Sequence, residues 1–393
     1  MENESLSSIK LQNRKIMLIP VKNKENFTKT ITQKIRNPYV DCIRILGMYS
    51  IIIHHILYHG KALIKYRQYN QLSLMNIFSF WHVSSFALIS GIVGYKTNKY
   101  SNLLFLWLCT LFYSIIIHCV FKIFKPIDVQ SKSILTQCFP IVFSNYWYMT
   151  KYFGMYLFLP LINNGIANIS EGDLKIIIFS FLGIYIVWKD YMTESDPFVF
   201  TDGYSIIWLL VFYITGAYFG KYKIIINLFL FKLIFCCTCI IVFLGSSLLC
   251  FYLSIYNGEY SNYGIIIKMK RLFSQKINSL AMILQAISIT LFFSQIKYHK
   301  FIGKIITFLG PLTFGVYLIH EHEYIRSNYI SNLFDKDPQN LSLTKVVFLV
   351  LYRGLLIFII CSIIDYFRHL LFIICKIRKI CVLLEKSVKK VFN

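Results

Sequence analysis

The chain is assembled from apolar runs of about twenty residues, one after another with short polar punctuation between them, and that repetition limits it to a membrane fold. A helix of that length crosses a hydrocarbon core about 30 Å thick. Composition agrees: 56% of the 393 residues are hydrophobic and only 15% are charged, whereas soluble domains carry about 25% charged residues. A sliding window of about nineteen residues predicts about ten spans. They run over 40–59, 76–95, 101–121, 146–165, 173–189, 204–220, 226–254, 277–296, 305–322 and 343–367. The predicted fold is therefore all-α, a polytopic integral membrane protein with no room for a large soluble domain.

The net charge of +23 raises nucleic acid as a partner, but Lys and Arg sit at both ends and in short loops. No basic groove with interleaved aromatics is visible, so nucleic acid is excluded and the lipid bilayer is the expected partner. The larger share of loop Lys and Arg falls on the side shared by the two ends, which predicts a multi-pass cell-membrane protein with both termini cytoplasmic. Residues 1–38 read as a polar, basic, disordered cytoplasmic extension whose apolar run Ile16–Val21 is too weak for a signal-peptide core. Residues 376–393 read as a basic cytoplasmic tail. Most of the eleven cysteines lie within apolar runs as small hydrophobes, and no paired CxxC spacing points to zinc or disulfides. The sequence leaves the oligomeric state open.

Ionisable residues inside a span are functional candidates, since a charge near mid-bilayer costs about 2.5–3.5 kcal/mol. The first span carries Asp41, Arg44, His54 and His55. Eleven residues at about 100° each make three turns and about 20°, so Arg44 and His55 share one face while His54 points about 100° away. Two readings are open. His55 can act as a general base, with Arg44 holding phosphate and Asp41 orienting Arg44. Alternatively Asp41 and Arg44 anchor the helix end and His55 makes a hydrogen bond inside the bundle.

The stretch from Phe80 through His82, Ser84, Ser85, Ser90, Gly91 and Gly94 has the small residues of close helix packing, with a hydrogen-bonding role for His82 as the alternative. Tyr146-Trp147-Tyr148 reads as an interfacial aromatic belt opening the fourth span, and Asn163-Asn164-Gly165 as the turn that closes it. Gly315 through Tyr317, His320, Glu321, His322 and Arg326 ends the ninth span. A metalloprotease helix needs a His at position 324, where Tyr324 stands, and His320 and His322 are about 200° apart, so a polar cap or acceptor site is expected and no metal. The chain has no GxSxG elbow, Walker loop or GxGxxG, which favours direct base-assisted transfer over a covalent intermediate.

In this order the residues resemble the membrane-bound acyltransferase-3 family, in its cell-surface polysaccharide O-acetyltransferase branch. Arg44 through His55 resembles the family's Arg-x10-His motif, and Phe86 through Ser90-Gly91 its Ser-Gly signature. Tyr146-Trp147-Tyr148 through Pro160 is similar to its central aromatic segment, and Gly315-Val-Tyr317-Leu-Ile-His320 to its late Gly-Ile-Tyr-Leu-x-His motif. The resemblance covers roughly 38–375 and makes 39–375 a transmembrane acyltransferase domain. It implies transfer of acetyl from acetyl-CoA, the acyl donor, to a hydroxyl of a cell-surface or lipid-linked glycan acceptor. The catalytic residues carried over are His55 and its partner Arg44. Donor contacts are expected at Arg44, Lys96 and Lys99, although the Arg-rich loop of many relatives is replaced here by those two lysines. Substrate contacts are expected at Asp41, His82, Ser90, Tyr148, Tyr317 and His320. The alternative is a polytopic glycan or lipid transporter in which Arg44 and His55 line the pathway.

Overall fold

The computed structural model describes residues 37–392 except 126–133, 184–188, 193–194, 197–198, 224–225, 227 and 257–263. The expected extension over 1–38 thus lies almost wholly outside the described residues. The described residues form helices joined by turns and short irregular stretches, with no strand among them. The principal helices are α1 (Pro38–Tyr58), α2 (Asn70–Ile77), α3 (His82–Gly94), α4 (Tyr100–Phe124), α5 (Trp147–Asn168), α6 (Glu171–Ser180) and α7 (Ile206–Lys221). They continue with α8 (Phe229–Ile255), α9 (Leu280–Ser294), α10 (Lys300–Leu309), α11 (Thr313–His320), α12 (Leu343–Ile374) and α13 (Ile377–Phe392).

Six helical segments among the described residues are long and apolar enough to cross a membrane: α1, the α2–α3 pair, α4, α8, the α10–α11 pair and α12. Helices α7 and α9 are shorter and apolar. The helix starts are legible locally. Pro38 opens α1 where no hydrogen-bonding amide is required. Ser205 caps α7 by accepting from Trp208 N at 3.1 Å, and Ser279 does the same for α9 from Met282 N.

Helix α1 sits at the centre, against α2, α3, α9, α10, α11 and α12. It has therefore exchanged lipid contact for protein contact, and Ile43, Ile52, Ile56 and Leu57 are fully covered. Helices α3 and α7 approach backbone to backbone. A Cβ on Gly91 would stand 2.0 Å from Tyr213 O, and one on Gly216 1.9 Å from Leu88 O. Gly91 thus packs, as the small-residue pattern of this stretch predicts.

The ninth predicted span is broken into α10 and α11 by a tight turn, Gly310–Leu312, where Pro311 cannot donate to an α-helical ladder. Gly310 there leaves room for the Asp41 side chain, 2.6 Å from where a Cβ would be. Gly315, one turn into α11, is still tighter: its Cβ would lie 1.8 Å from Asp365 Oδ1 of α12. Asp365 is itself held by Arg368 through paired bonds of 2.7 and 2.8 Å and by the Tyr113 hydroxyl of α4 at 2.8 Å. A buried charge pair of this kind inside a span is tolerated only when each partner is bonded.

Two sequence expectations change. Tyr146 is not an interfacial ring: it is 1% exposed and donates to Leu318 O at 3.1 Å. Asn163 does not end its helix, which continues to Asn168; its amide instead donates to Asn98 Oδ1 at 2.8 Å and its oxygen accepts from Tyr213 at 2.8 Å. In both cases a tertiary partner replaces the water that the local pattern anticipated.

Candidate active site

Two cavities meet at His55, in the last turn of α1. The first, of about 270 Å³, is walled by Arg44, Met48, His55, Ser90, Tyr148 and Tyr317 among others. The second, of about 540 Å³, is walled by His54, His59, Asn76, Tyr204, Glu321 and Arg326 among others. Their walls share His55, His82, Val83 and Trp147. Arg44 therefore opens one cavity and His55 stands between the two, which follows from the eleven-residue spacing on a straight helix.

Arg44 is positioned by its neighbour one turn earlier. Its Nη1 donates to Asp41 Oδ1 at 2.7 Å, with Asp41 1% exposed and Arg44 28%. Asp41 lines neither cavity; it orients the guanidinium that does.

The proton positions around His55 follow from its partners. His320 Nδ1 is 2.6 Å from Val316 O, and a carbonyl only accepts, so in the neutral ring Nδ1 carries the proton and Nε2 the lone pair. His55 Nδ1 lies 3.1 Å from that Nε2 and must be the donor. The free lone pair of His55 is then on Nε2. Behind Nδ1, at 3.0 Å, stands Glu321 Oε2. The contact is short enough for an ion pair but poorly aligned, and Oε2 has no hydrogen-bond partner although it is buried. The other carboxylate oxygen accepts from Arg326 Nη1 at 2.5 Å.

His82 competes for the same role. It too faces both cavities, and its Nδ1 bonds Ser79 O, leaving Nε2 bare. The difference lies behind the ring. A neutral carbonyl backs His82, whereas a carboxylate backs His55, and only the carboxylate gains full charge attraction when the ring takes up a proton. His54 is turned away from Arg44: its Nδ1 meets Asn76 Oδ1 at 2.8 Å in the wall of the larger cavity.

Of the residues singled out in the sequence, Arg44, His55, His82, Ser90, Tyr148 and Tyr317 come together in the smaller cavity. Ser90 donates to Phe86 O at 2.8 Å and accepts from the Tyr152 hydroxyl at 3.3 Å, so the Ser-Gly pair is split between cavity wall and helix packing. The Tyr148 and Tyr317 hydroxyls are buried there without hydrogen-bond partners. His320 is fully buried, lines neither cavity and stands behind His55. Lys96 and Lys99 line neither cavity: Lys96 lies against the Tyr95 ring, and the Lys99 carbonyl accepts from Tyr156. Sequence reasoning gave Glu321 no role of its own. Its position beside His320 was visible, but its contact with His55 joins residues from the first and last thirds of the chain.

A family model described as an acyltransferase domain matches residues 37–366. The chain belongs to the acyltransferase-3 family. No curated protein and no solved structure matches it. As an acyltransferase-3 protein it is a membrane acyltransferase, and the matched region takes in both cavities together with α1, α3, α5 and α11.

Proposed function

We propose that this membrane acyltransferase carries acetyl from acetyl-CoA to a hydroxyl of a cell-surface or lipid-linked glycan, with His55 as general base. The observation that best supports this reading is that, of the two imidazoles set in the walls of both cavities, His55 is the one with a carboxylate behind its ring. The donor's acyl end occupies the smaller cavity, and the acceptor hydroxyl approaches from the larger one. His55 Nε2 takes the hydroxyl proton as the oxygen attacks the thioester carbonyl carbon. The carbon–sulfur bond then breaks, and the thiolate leaves with the proton returned by the imidazolium. A base in this position contributes about 10²–10⁴-fold.

The remaining residues have supporting parts. Glu321 stabilises the imidazolium, and His320 holds His55 in the tautomer that leaves Nε2 free. The unpartnered hydroxyls of Tyr148 and Tyr317 offer donors to the thioester carbonyl, where negative charge develops. Arg44, partly exposed and fixed by Asp41, suits a phosphate group of the donor. With both termini in the cytoplasm, the Arg44 end of α1 faces the acetyl-CoA pool and the His59 end faces the glycan.

Inverted vesicles given acetyl-CoA labelled in the acetyl group test the reading. Label recovered in glycan, and lost with His55→Gln, is the expected result. Movement of glycan or lipid across the vesicle membrane with no label attached would favour a transporter and overturn it.

A further inference from the structure

The wall of the larger cavity sets His59, which acyl transfer does not use, beside His55 and Glu321, which it does. His55 and His59 are four residues apart on α1 and at its C-terminal cap, so both rings lie on one side, with centroids 5.1 Å apart. Glu321 joins them from the end of α11. One ligand atom from each of the three residues lies within 4.8 Å of the other two. Two imidazoles and a carboxylate are a donor set for zinc, whose bonds of about 2.0–2.2 Å place tetrahedral ligand atoms about 3.4 Å apart. Side-chain shifts of about 1 Å would close the group onto an ion.

A separate observation points to a ligand. Glu321 Oε2 is buried and has no hydrogen-bond partner, an arrangement that normally costs free energy. Arg326 occupies Oε1 only, so the orphaned oxygen is the one beside His55. The fourth position of a tetrahedral ion would open into the 540 Å³ cavity.

We infer that His55, His59 and Glu321 form a binding site for a divalent transition-metal ion, zinc foremost, and that occupancy switches off the base. The atom next to Glu321 Oε2 is His55 Nδ1. Coordination there needs the Nδ1 lone pair, so the ring proton moves to Nε2. No proton is gained or lost by the ring, but Nε2 no longer has a lone pair to accept the hydroxyl proton. The His55–His320 hydrogen bond is given up at the same time.

The test uses the full chain, free of any histidine tag, in lipid nanodiscs, with zinc chloride as the probe. Equilibrium dialysis with elemental analysis should find one zinc per chain. His59→Asn and Glu321→Gln should each weaken binding by about tenfold or more, since even outer partners of a metal site are worth 10–100-fold. Cobalt in place of zinc should give the intense visible bands of a tetrahedral site in the parent chain and not in the variants. Binding that is unchanged in both variants, as thiolates among the eleven cysteines would give, overturns the site; so does no binding at all. The switch has its own readout. Zinc should lower labelled-acetyl transfer by the parent chain, and His59→Asn should keep a larger fraction of its own zinc-free rate. Stoichiometric binding with an unchanged transfer rate would refute the switch. Binding with no transfer at any zinc level would support the site and count against the acetyl-transfer reading.

Discussion

If Glu321 acts through His55, the two residues should fail together. The perturbation is Glu321→Gln, which keeps size and removes charge. Glu321 Oε2 is 3.0 Å from His55 Nδ1, so an imidazolium there gains about 5.5 kcal/mol from the carboxylate at an effective dielectric of about 20. Arg326, bonded to the other oxygen at 2.5 Å, already draws on that charge. Halving the figure for this leaves about 2.7 kcal/mol, or roughly 100-fold in turnover. The assay is labelled-acetyl transfer in vesicles, normalised to folded protein by size-exclusion chromatography, for the parent, Glu321→Gln, His55→Gln and the double variant. His55→Gln should lose about 10²-fold or more. In its background the Glu321 change should cost almost nothing further, because the charge it stabilises no longer forms. Additive losses in the double variant, or parent-like turnover for Glu321→Gln alone, would refute the coupling.

Other outcomes follow from the packing and charge around the site. His54→Gln should raise the KM for acceptor while leaving turnover within a few-fold, as His54 lines only the larger cavity and faces Asn76; abolished turnover with silent His55→Gln would reverse the register of α1. Gly315→Ala should displace Asp365 and leave Arg368 unpaired at about 3–5 kcal/mol, seen as a large drop in thermal stability in detergent. Gly245→Ala, with nothing within 4 Å of its Cβ, should be silent in the same assay. Glu385 of α13 is held down to about 2 from an ordinary 4.5: its burial raises the value, but bonds from Lys389 and from Ser101 N outweigh that. Its contribution is full above about pH 4.5 and disappears as pH falls towards 2. Hydrogen exchange over 377–392 should therefore speed up in that window, and Glu385→Gln should remove the pH dependence.

Six of the ten predicted spans were legible because length and hydropathy report directly on the solvent the chain faces. So was the register of Arg44 and His55, which needs only the pitch of one helix. The break in the ninth run was less so: Pro311 stands there in an otherwise continuous apolar run, but the fit of Gly310 against Asp41 involves another helix and leaves no local mark. Tyr146 and Asn163 misled for a related reason, since aromatic and amide side chains suit an interface or a buried partner equally well. The backing of His55 by His320 joins positions 265 residues apart, and no periodicity within one sequence encodes such a contact. Asp365 and Arg368 are charges in an apolar run, but the tenth predicted span stops between them, so the pattern does not mark them as a pair within one helix.

The approach of α3 to α7 has a genetic consequence. Most tight contacts between helices are side chain against side chain, so a bulky change on one helix can be repaired by trimming the other. At Gly91 the obstacle is the Tyr213 carbonyl oxygen, and at Gly216 it is the Leu88 carbonyl oxygen. Every amino acid carries that atom. No second substitution on the partner helix can remove it, and a suppressor screen started from Gly91→Ala should return only reversions or changes that move the whole α7 backbone.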